Sequence, residues 1–516
     1  MSSFYVENFG CRATQADGAA IEQQFRDRGF DRASRPGTAK FVVLNTCAVT
    51  ASAEQDARAA IRRIRRENPA CEVIVTGCYA QRAANEVAAL PGVSVVIGNS
   101  HKHNLAQIAL GAQSEKDNFN PCSFVPIATL STTDSRITDR GSADPSIEDG
   151  SHSYESSFPS IFVSDIFAHT ELLAAPVFDS ANERTRPNLK VQDGCSNRCS
   201  FCIIPSVRGR SRSLNLNEVL REVNQLVAAG YREVVISGIN LGRWGRDLTG
   251  GIAKTGLGCP QEIVWGGRPR PPMLEDLVKA ILDHTPLEKL RISSVEPMDW
   301  TDSFIRLMAC SPRIAKHAHV PMQSGSDSVL RRMHRKYRPW HYREKIEKIR
   351  AAMPAAAIGA DVMVGFPGET TPEFEATRRM IEDLPFTYLH VFTYSPRPST
   401  PAASMPNQVA VHLARERNKI LRELAAEKKL AFMRSFVGKE LEAITLSSCG
   451  AGARAREAST TEFTNQAEQP STFTEALTEN YLKLLLPGYH APNRWLRAQI
   501  EDVADGTLVG RAHDTR

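Results

Sequence analysis

The sequence predicts an α/β protein of about three domains, and three observations support that prediction. Its 516 residues exceed what a single hydrophobic core usually serves, since domains average roughly 150 residues. Over residues 1–112, and again over 186–430, short apolar runs alternate with helical periodicity, which is typical of parallel strands joined by crossover helices. After residue 434, short strands follow one another with turn residues between them. We therefore expect a parallel-sheet α/β domain, a central βα barrel and a small C-terminal β domain.

The composition indicates a globular protein of a reducing compartment. The chain is 42% apolar and 23% charged, no apolar run approaches the length of a membrane span, and its start lacks a signal-peptide pattern, so we expect a cytoplasmic protein. Eleven cysteines favour metal ligands or free thiols over a disulfide framework. The net charge of +5 is small, but basic residues cluster at 58–66, 208–212 and 331–338, as in proteins that bind an acidic polymer.

In the N-terminal domain, three cysteines lie just beyond the first three predicted strands. They are Cys11, Cys47 and Cys78, which we call the strand-end triad. Because the carboxyl ends of parallel strands meet at one edge of a sheet, these thiols can converge although they are far apart in the sequence. Their convergence predicts a metal cluster. Five other cysteines share no such placement and are explained as ordinary buried or free thiols: Cys71, Cys122, Cys259, Cys310 and Cys449.

Residues 190–213, KVQDGCSNRCSFCIIPSVRGRSRS, carry a second group of cysteines. Cys195, Cys199 and Cys202, which we call the loop triad, are separated by three residues and then by two, a spacing that fits three corners of a cubane iron-sulfur cluster. Three thiolates leave one iron open to a small-molecule ligand. A structural zinc site is the alternative, but it requires a fourth ligand at regular spacing, and no paired Cys or His lies nearby.

Both triads resemble motifs of known families. The loop triad, with Phe201 before its last cysteine, resembles the signature of the radical S-adenosylmethionine (SAM) superfamily, which implies a catalytic 4Fe-4S cluster whose open iron binds SAM. The segments FGCRATQADGAAI, LNTCAVTASAE and VTGCYAQ resemble the three cysteine motifs of the methylthiotransferase family. That resemblance implies that the strand-end triad holds a second, auxiliary 4Fe-4S cluster.

The resemblance also refines the expected fold. It implies that residues 186–430 form a partial (β/α)6 radical SAM barrel, open at the side where a large substrate enters, and that residues 434–512 form a TRAM-like antiparallel β-barrel that binds RNA. Gly238, Glu296 and Gln323 stand at ends of barrel strands and are the implied SAM contacts. A glycine turn or a helix cap explains each of them equally well.

Three stretches depart from the family pattern. Residues 113–185 are rich in Ser, Thr, Asp and Asn and are expected to be a linker with a disordered insertion. Residues 246–272, rich in Gly and Pro, and the polar residues 449–475 are expected to be insertions. The remaining C-terminal strands carry residues suited to RNA binding, namely Lys439, Lys483, Arg494, Trp495 and Arg497. Trp495 has the alternative of filling the β-barrel.

The residues after Cys47 resemble one branch of the family. Ala48, Val49 and Thr50 resemble the branch that acts on threonylcarbamoyladenosine in tRNA, whereas the isopentenyladenosine branch usually has a Ser-Val-Arg type sequence there and the ribosomal-protein branch a Gly-Phe type. This implies a radical reaction that adds a methylthio group to C2 of N6-threonylcarbamoyladenosine beside the anticodon. The implied partners are tRNA and an electron donor of the flavodoxin or ferredoxin type. The alternatives are isopentenyladenosine in tRNA, an aspartate of a ribosomal protein, and a non-catalytic iron-sulfur protein that binds RNA.

Overall fold

The computed structural model describes residues 3–117, 159–169, 172, 185–248, 264–265, 268–269, 271–446 and 473–513. Most of the three expected insertions, at 113–185, 246–272 and 449–475, lies outside these residues. Within the described part, no helix combines the length and the apolar character needed to cross a bilayer. The expected limits of the domains stay predictions.

The N-terminal unit is a parallel sheet flanked by helices, as expected. Its strands are β1 (Ser3–Asn8), β2 (Asp31–Arg32), β3 (Phe41–Thr46), β4 (Glu72–Gly77), β5 (Val93–Ile97) and β6 (Ser160–Phe162), in the order β2-β1-β3-β4-β5-β6. Its helices are α1 (Arg12–Arg26), α2 (Ala51–Glu67), α3 (Cys78–Arg82), α4 (Ala84–Ala88) and α5 (Leu105–Asp117). Strand β6 falls inside the expected linker. Its residues, SIF, belong to a short apolar run that follows the polar stretch, and three residues are too few to show a strand pattern.

Helix α2 shows how local sequence sets these elements. Thr50 caps its start by accepting a hydrogen bond from the Ala53 amide at 3.2 Å. Ala57, Ile61 and Ile64 recur at helical spacing and pack into the core beside β3 and β4. The helix therefore starts directly after the loop that carries the second cysteine motif.

The central unit is a partial barrel of six parallel strands. Its elements are β7 (Asn188–Asp193), α6 (Ile204–Arg208), β8 (Arg212–Ser213), α7 (Leu216–Ala228), β9 (Glu233–Gly238), β10 (Val264–Trp265), β11 (Arg268–Pro269), α8 (Leu274–His284), β12 (Lys289–Ile292), α9 (Asp302–Cys310), β13 (His317–His319), α10 (Asp327–Arg332), α11 (Pro339–Ala352), β14 (Ala357–Val364), α12 (Thr371–Asp383), β15 (Tyr388–Thr393) and α13 (Val411–Arg434).

The barrel strands follow the order β7-β9-β12-β13-β14-β15. Two sheets, β12-β9-β7-β8 and β13-β14-β15, are linked by parallel bridges from Leu290 to Ile314 and from Ser294 to His319. In the part of the chain that is described, β15 pairs only with β14, and β7 pairs only with β9 and the short β8. The barrel is therefore open between its first and sixth strands, which confirms the expected partial (β/α)6 fold.

The C-terminal unit is a closed five-stranded barrel. Its strands are β16 (Glu440–Thr445), β17 (Phe473–Thr478), β18 (Lys483–Pro487), β19 (Trp495–Ala504) and β20 (Thr507–His513), closed in the order β16-β17-β18-β20-β19. All pairs are antiparallel except β18 with β20, which are parallel. The expected insertion 449–475 extends too far, since β17 begins at Phe473.

The C-terminal barrel docks on the partial barrel through the turn after β17. Tyr481, in the left-handed conformation at φ 68°, places its ring centroid 4.8 Å from that of His317 and 5.4 Å from the Arg291 guanidinium carbon. Asn480 donates a hydrogen bond to the Ala355 carbonyl at 3.1 Å. Because His317 opens β13 and Ala355 precedes β14, this contact lies at the amino ends of the strands. The carboxyl ends, where such barrels carry their active sites, stay clear of it.

Candidate active site

The loop triad lies between β7 and α6. Gly194, in the left-handed conformation at φ 69°, opens this segment, and a Cβ atom there would come within 2.0 Å of the Arg210 carbonyl oxygen, so glycine is required. Ser200, between the last two cysteines, donates from its amide to the Met333 carbonyl (3.1 Å) and from its hydroxyl to the Arg332 carbonyl (2.7 Å). These bonds fix the loop against the end of α10 and leave its three thiols partly exposed.

Two side chains donate hydrogen bonds to sulfur atoms of the loop triad. Asn240 Nδ2 lies 3.5 Å from Cys195 Sγ, and Arg335 Nη1 lies 3.3 Å from Cys199 Sγ. Burial raises the pKa of Cys202 to about 12, and it also raises the pKa of Cys195. Such thiols stay protonated in the apoprotein, whereas a bound metal replaces the proton and leaves an anionic sulfur that these donors stabilise. The donor set fits a metal cluster.

The three predicted SAM contacts stand around this loop in different environments. Gly238 ends β9, and a Cβ atom there would lie 2.8 Å from Gln192 Oε1, so packing alone requires glycine. Glu296 forms an ion pair with Arg335; burial raises the pKa of Glu296, and Arg335 opposes this effect. Gln323 adopts the left-handed conformation at φ 62°, and its side chain is buried. Their role in SAM binding stays a prediction.

Buried oxygen atoms without a partner lie at the same strand ends. Ser237 Oγ, Asn240 Oδ1 and Gln323 Oε1 make no hydrogen bond within the described part of the chain. An unsatisfied buried polar atom typically costs about 1–3 kcal/mol unless a ligand or water bonds to it. SAM offers an ammonium group and ribose hydroxyls as donors. These oxygen atoms therefore fit a cofactor of that chemistry.

The structure brings the strand-end triad together at the carboxyl edge of the N-terminal sheet. Cys11 precedes α1, Cys47 follows β3 and Cys78 opens α3. Gly10, at φ 95°, has no side chain, and a Cβ atom there would come within 2.8 Å of Cys47 Sγ, so the first loop lies directly on the second. Burial raises the pKa of Cys47 to about 11, and the charges of Cys78 and Cys11 add to the effect, as for thiols that share one site.

Asn99 connects the strand-end triad to the partial barrel. Its Nδ2 atom lies 3.6 Å from Cys78 Sγ and donates a hydrogen bond to the Val207 carbonyl at 2.7 Å. Val207 belongs to α6, the helix that follows the loop triad. Sequence reasoning missed Asn99, Asn240 and Arg335, because none of them belongs to a cysteine motif. Asn99 and Asn240 each follow the end of a parallel strand by two residues, and that placement was the available signal.

Five buried charged residues, which we call the interdomain ion network, join the two units between the triads. Asp17 of α1 lies 3.0 Å from Lys102 Nζ and 2.9 Å from Arg208 Nη2, and it also contacts Lys190. Asp193 of β7 lies 2.9 Å from both Arg208 Nη1 and Lys190 Nζ. Although burial opposes it, Arg208 and Lys190 hold the pKa of both carboxyls far below the usual range.

The basic clusters noted in the sequence divide into buried and exposed residues. Arg208 and Arg335 are buried and serve the interior, so the hypothesis that they bind an acidic polymer is wrong for these two. Trp495 lies against the partial barrel, with Lys289 Nζ 5.0 Å from its ring, so it neither fills the β-barrel nor offers this face to RNA. The other four residues predicted to meet RNA are exposed: Lys439, Lys483, Arg494 and Arg497.

An exposed aromatic residue on the C-terminal barrel was missed by the sequence prediction. Tyr489, just after β18, is 81% exposed, and Phe473 at the start of β17 is 53% exposed. Phe473 pairs with Pro487 in the ladder between these strands, so both rings belong to the same end of the barrel. Only the register of β17 and β18 reveals this, because Phe473 was expected to lie inside the insertion 449–475 and not in a strand.

Comparison with known proteins places these features in a family. Residues 3–98 match the family described as Uncharacterized protein family UPF0004, and residues 189–381 match the Radical SAM superfamily. A Bacillus subtilis (strain 168) protein named threonylcarbamoyladenosine tRNA methylthiotransferase MtaB is 32% identical over 489 residues, which cover 95% of this chain and 91% of that protein.

Two further comparisons cover less of the chain. A Thermobifida fusca (strain YX) protein named tRNA-2-methylthio-N(6)-dimethylallyladenosine synthase is 31% identical, over 86% of this chain and 77% of that protein. Among solved structures, the radical S-adenosylmethionine methyltransferase TsrM from Kitasatospora setae aligns with a TM-score of 0.48 and 16% identity, over 78% of this chain and 74% of that chain.

Proposed function

We propose a tRNA-modifying function from the premise that this chain belongs to the radical SAM methylthiotransferase family, on the branch of the threonylcarbamoyladenosine tRNA methylthiotransferases. The protein is an enzyme that adds a methylthio group to C2 of N6-threonylcarbamoyladenosine beside the anticodon of tRNA. The observation that carries this proposal is the presence of two cysteine triads in one chain, joined through Asn99 and the interdomain ion network.

The two triads would hold two 4Fe-4S clusters with different tasks. When bound, the cluster of the loop triad together with SAM would supply the radical that removes the C2 hydrogen, the auxiliary cluster of the strand-end triad would supply the sulfur, and another SAM molecule would supply the methyl group. Arg335 and Asn240 donate to sulfur atoms of the first triad, and Asn99 approaches Cys78 of the second. These donors stabilise negative sulfur and thereby tune each site.

Other residues would position the cofactor and the substrate. The unpaired oxygen atoms of Ser237, Asn240 and Gln323 are suited to orient SAM at the strand ends. The opening between β7 and β15 admits a nucleotide too large for a closed barrel. On the C-terminal barrel, exposed basic residues are suited to RNA phosphates, and the ring of Tyr489 is suited to stack on an unpaired base.

Two observations support the choice of substrate: the share of each relative's length that aligns with this chain, and the residues of the second cysteine motif. The threonylcarbamoyladenosine enzyme aligns along 91% of its own length, against 77% for the dimethylallyladenosine enzyme. We further propose that the enzyme works in the cytoplasm and receives electrons from a flavodoxin or ferredoxin type of donor. A cluster that cleaves SAM reductively needs such a reductant.

Mass analysis of tRNA nucleosides tests this function. Cells that carry the gene should contain 2-methylthio-N6-threonylcarbamoyladenosine, and cells without it should contain only the unmethylthiolated nucleoside. Complementation with the wild-type gene should restore the product, whereas a Cys47→Ala gene should not. Equal methylthiolation of tRNA that lacks the threonylcarbamoyl group would contradict the substrate assignment, because the enzyme would not then be selecting for that group.

A further inference from the structure

Three ionisable residues face the interior of the partial barrel on neighbouring strands. His319 of β13, Asp361 of β14 and His390 of β15, which we call the lumen cluster, each place a nitrogen or oxygen atom within 4.8 Å of the other two. Asp361 and His390 are direct partners in the ladder between β14 and β15. Along β14, Ala360 and Val362 pack in the core, so Asp361 points to the opposite side.

One member of the lumen cluster is buried and unsatisfied. His319 is 9% exposed, and its Nε2 atom lies 3.4 Å from Asp361 Oδ1, within ion-pair range, yet it makes no hydrogen bond among the described residues. His390 is exposed on β15, the strand at the open edge of the barrel. The cluster is therefore reachable from the side through which a substrate enters, and it has an unused polar atom to offer.

The lumen cluster is connected to the candidate SAM site by the backbone. The Asp361 carbonyl accepts hydrogen bonds from the amides of Met322 (3.1 Å) and Gln323 (2.8 Å). The His319 carbonyl accepts one from the Val295 amide (3.1 Å), directly before Glu296. The cluster thus lies next to both strand ends that carry predicted SAM contacts, which is where a reacting nucleoside must also lie.

We propose that the lumen cluster binds the threonylcarbamoyl substituent of the substrate and thereby selects it, an inference that rests on the proposed function. This substituent carries a carboxylate and a hydroxyl group next to a urea linkage. His319 and His390 are suited to donate to the carboxylate, and Asp361 is suited to accept from the hydroxyl or a urea N–H. An isopentenyl group bonds to none of them, so binding it would leave His319 unsatisfied. Sites built for hydrogen bonds reject such analogues strongly.

Binding of synthetic anticodon stem-loop RNAs to the full-length, cluster-loaded protein tests the proposal. The RNAs would be unmodified or carry the threonylcarbamoyl or the isopentenyl group. Wild-type protein should bind the threonylcarbamoyl RNA about tenfold or more tightly than the other two, since a charge-assisted hydrogen bond typically has that effect. His390→Phe and Asp361→Asn should reduce this preference to within about threefold. His341→Phe, an exposed histidine on α11, should leave it unchanged.

Kinetics on the same variants separate selection from general damage. His390→Phe should raise KM for threonylcarbamoylated tRNA with a smaller change in kcat, and its iron content should match that of the wild type. Preserved preference in both lumen variants would overturn the proposal, as would a zinc ion bound tightly at His390 with the preference intact. If wild-type protein did not methylthiolate threonylcarbamoylated tRNA at all, the proposed function would fail first, whatever the variants do.

Discussion

The loop triad and the strand-end triad assemble the same number of thiols by opposite means. The loop triad lies within eight consecutive residues, shaped by Gly194 and by the backbone bonds of Ser200. The strand-end triad takes one cysteine from each of three loops that only the parallel sheet brings together. The first site is thus specified by a short segment, whereas the second is a property of the tertiary structure and depends on every element that positions it.

The interdomain ion network includes residues from the elements next to each triad. Asp17 lies on α1, the helix that begins directly after Cys11, while Asp193 and Arg208 flank the loop triad on either side. Arg208 contacts both carboxylates and so connects the local site to the tertiary one. Changes to a cysteine should therefore affect one triad, whereas changes to the network should affect the relation between the two.

The largest expected effect is the loss of half of the iron. Reconstituted without oxygen, the wild-type chain should bind about eight irons if both triads hold cubanes, and replacing the loop triad by alanines should leave about four. Replacing the strand-end triad should also leave about four, but with reductive cleavage of SAM to 5′-deoxyadenosine retained. Iron analysis and product quantification measure both. Full iron retention in either variant would refute the corresponding assignment.

Asp17→Asn should cause the next largest effect, because it leaves Lys102, Lys190 and Arg208 with one buried carboxylate among them. Removal of one partner from a buried ion network typically costs about 3–5 kcal/mol. Thermal unfolding of the apoprotein should shift to lower temperature. In the cluster-loaded enzyme, more 5′-deoxyadenosine should form per methylthiolated product, because the network no longer fixes the position of one triad relative to the other.

Glu288→Gln is the matched control for the network. It removes an exposed ion pair with Arg232, whose side chain is 32% exposed, and such pairs contribute about 0–1 kcal/mol. Its stability and its product ratio should stay close to those of the wild type. An unchanged product ratio in Asp17→Asn, at full iron content, would mean that the network stabilises the fold without linking the triads.

Two glycine substitutions should each weaken iron binding at one triad without removing a cysteine. Gly194→Ala brings a Cβ atom within 2.0 Å of the Arg210 carbonyl and should weaken iron binding at the loop triad, while Gly77→Ala meets the Thr46 carbonyl at 2.2 Å and should weaken the strand-end triad. Both positions have positive φ, where a side chain adds about 1–3 kcal/mol of strain. Gly29→Ala, also at positive φ but with open space around it, controls for the strain alone. Equal iron loss in all three would contradict the local explanation.

The sequence predicted the cysteines of both triads because each depends on a short-range pattern, either a spacing or a strand end. It did not predict the interdomain ion network, since Asp17 and Arg208 are 191 residues apart and an isolated Asp on a helix is usually a surface residue. It likewise missed the position of Trp495, whose partner Lys289 lies in another unit. Contacts between distant segments leave no periodic pattern in the sequence. They could therefore not be predicted from it.

The smallest expected effect is a local loss of stability at low pH, confined to the segment that carries the loop triad. Arg332, whose carbonyl accepts the Ser200 hydrogen bond, is paired with Glu373 at 2.9 Å. Burial opposes it, but hydrogen bonds from Arg332 and Ser328 lower the pKa of Glu373 to about 2. A lowered carboxyl pKa stabilises the folded state above the unfolded value near about 4.3, and this contribution is lost as the pH falls toward about 2. Because solvent screens the pair, we expect about 1 kcal/mol or less.

Hydrogen exchange on the apoprotein at several pH values can resolve so small a difference. Between about pH 5 and pH 3, amides around Ser200 should lose protection earlier than those around Cys47, because only the former depend on the Arg332 pair. In Glu373→Gln the amides around Ser200 should be less protected at neutral pH and should change little over this range. If both loops lost protection together in the wild type, acid would be acting on the whole fold, and the contrast between a local and a tertiary site would not extend to their stability.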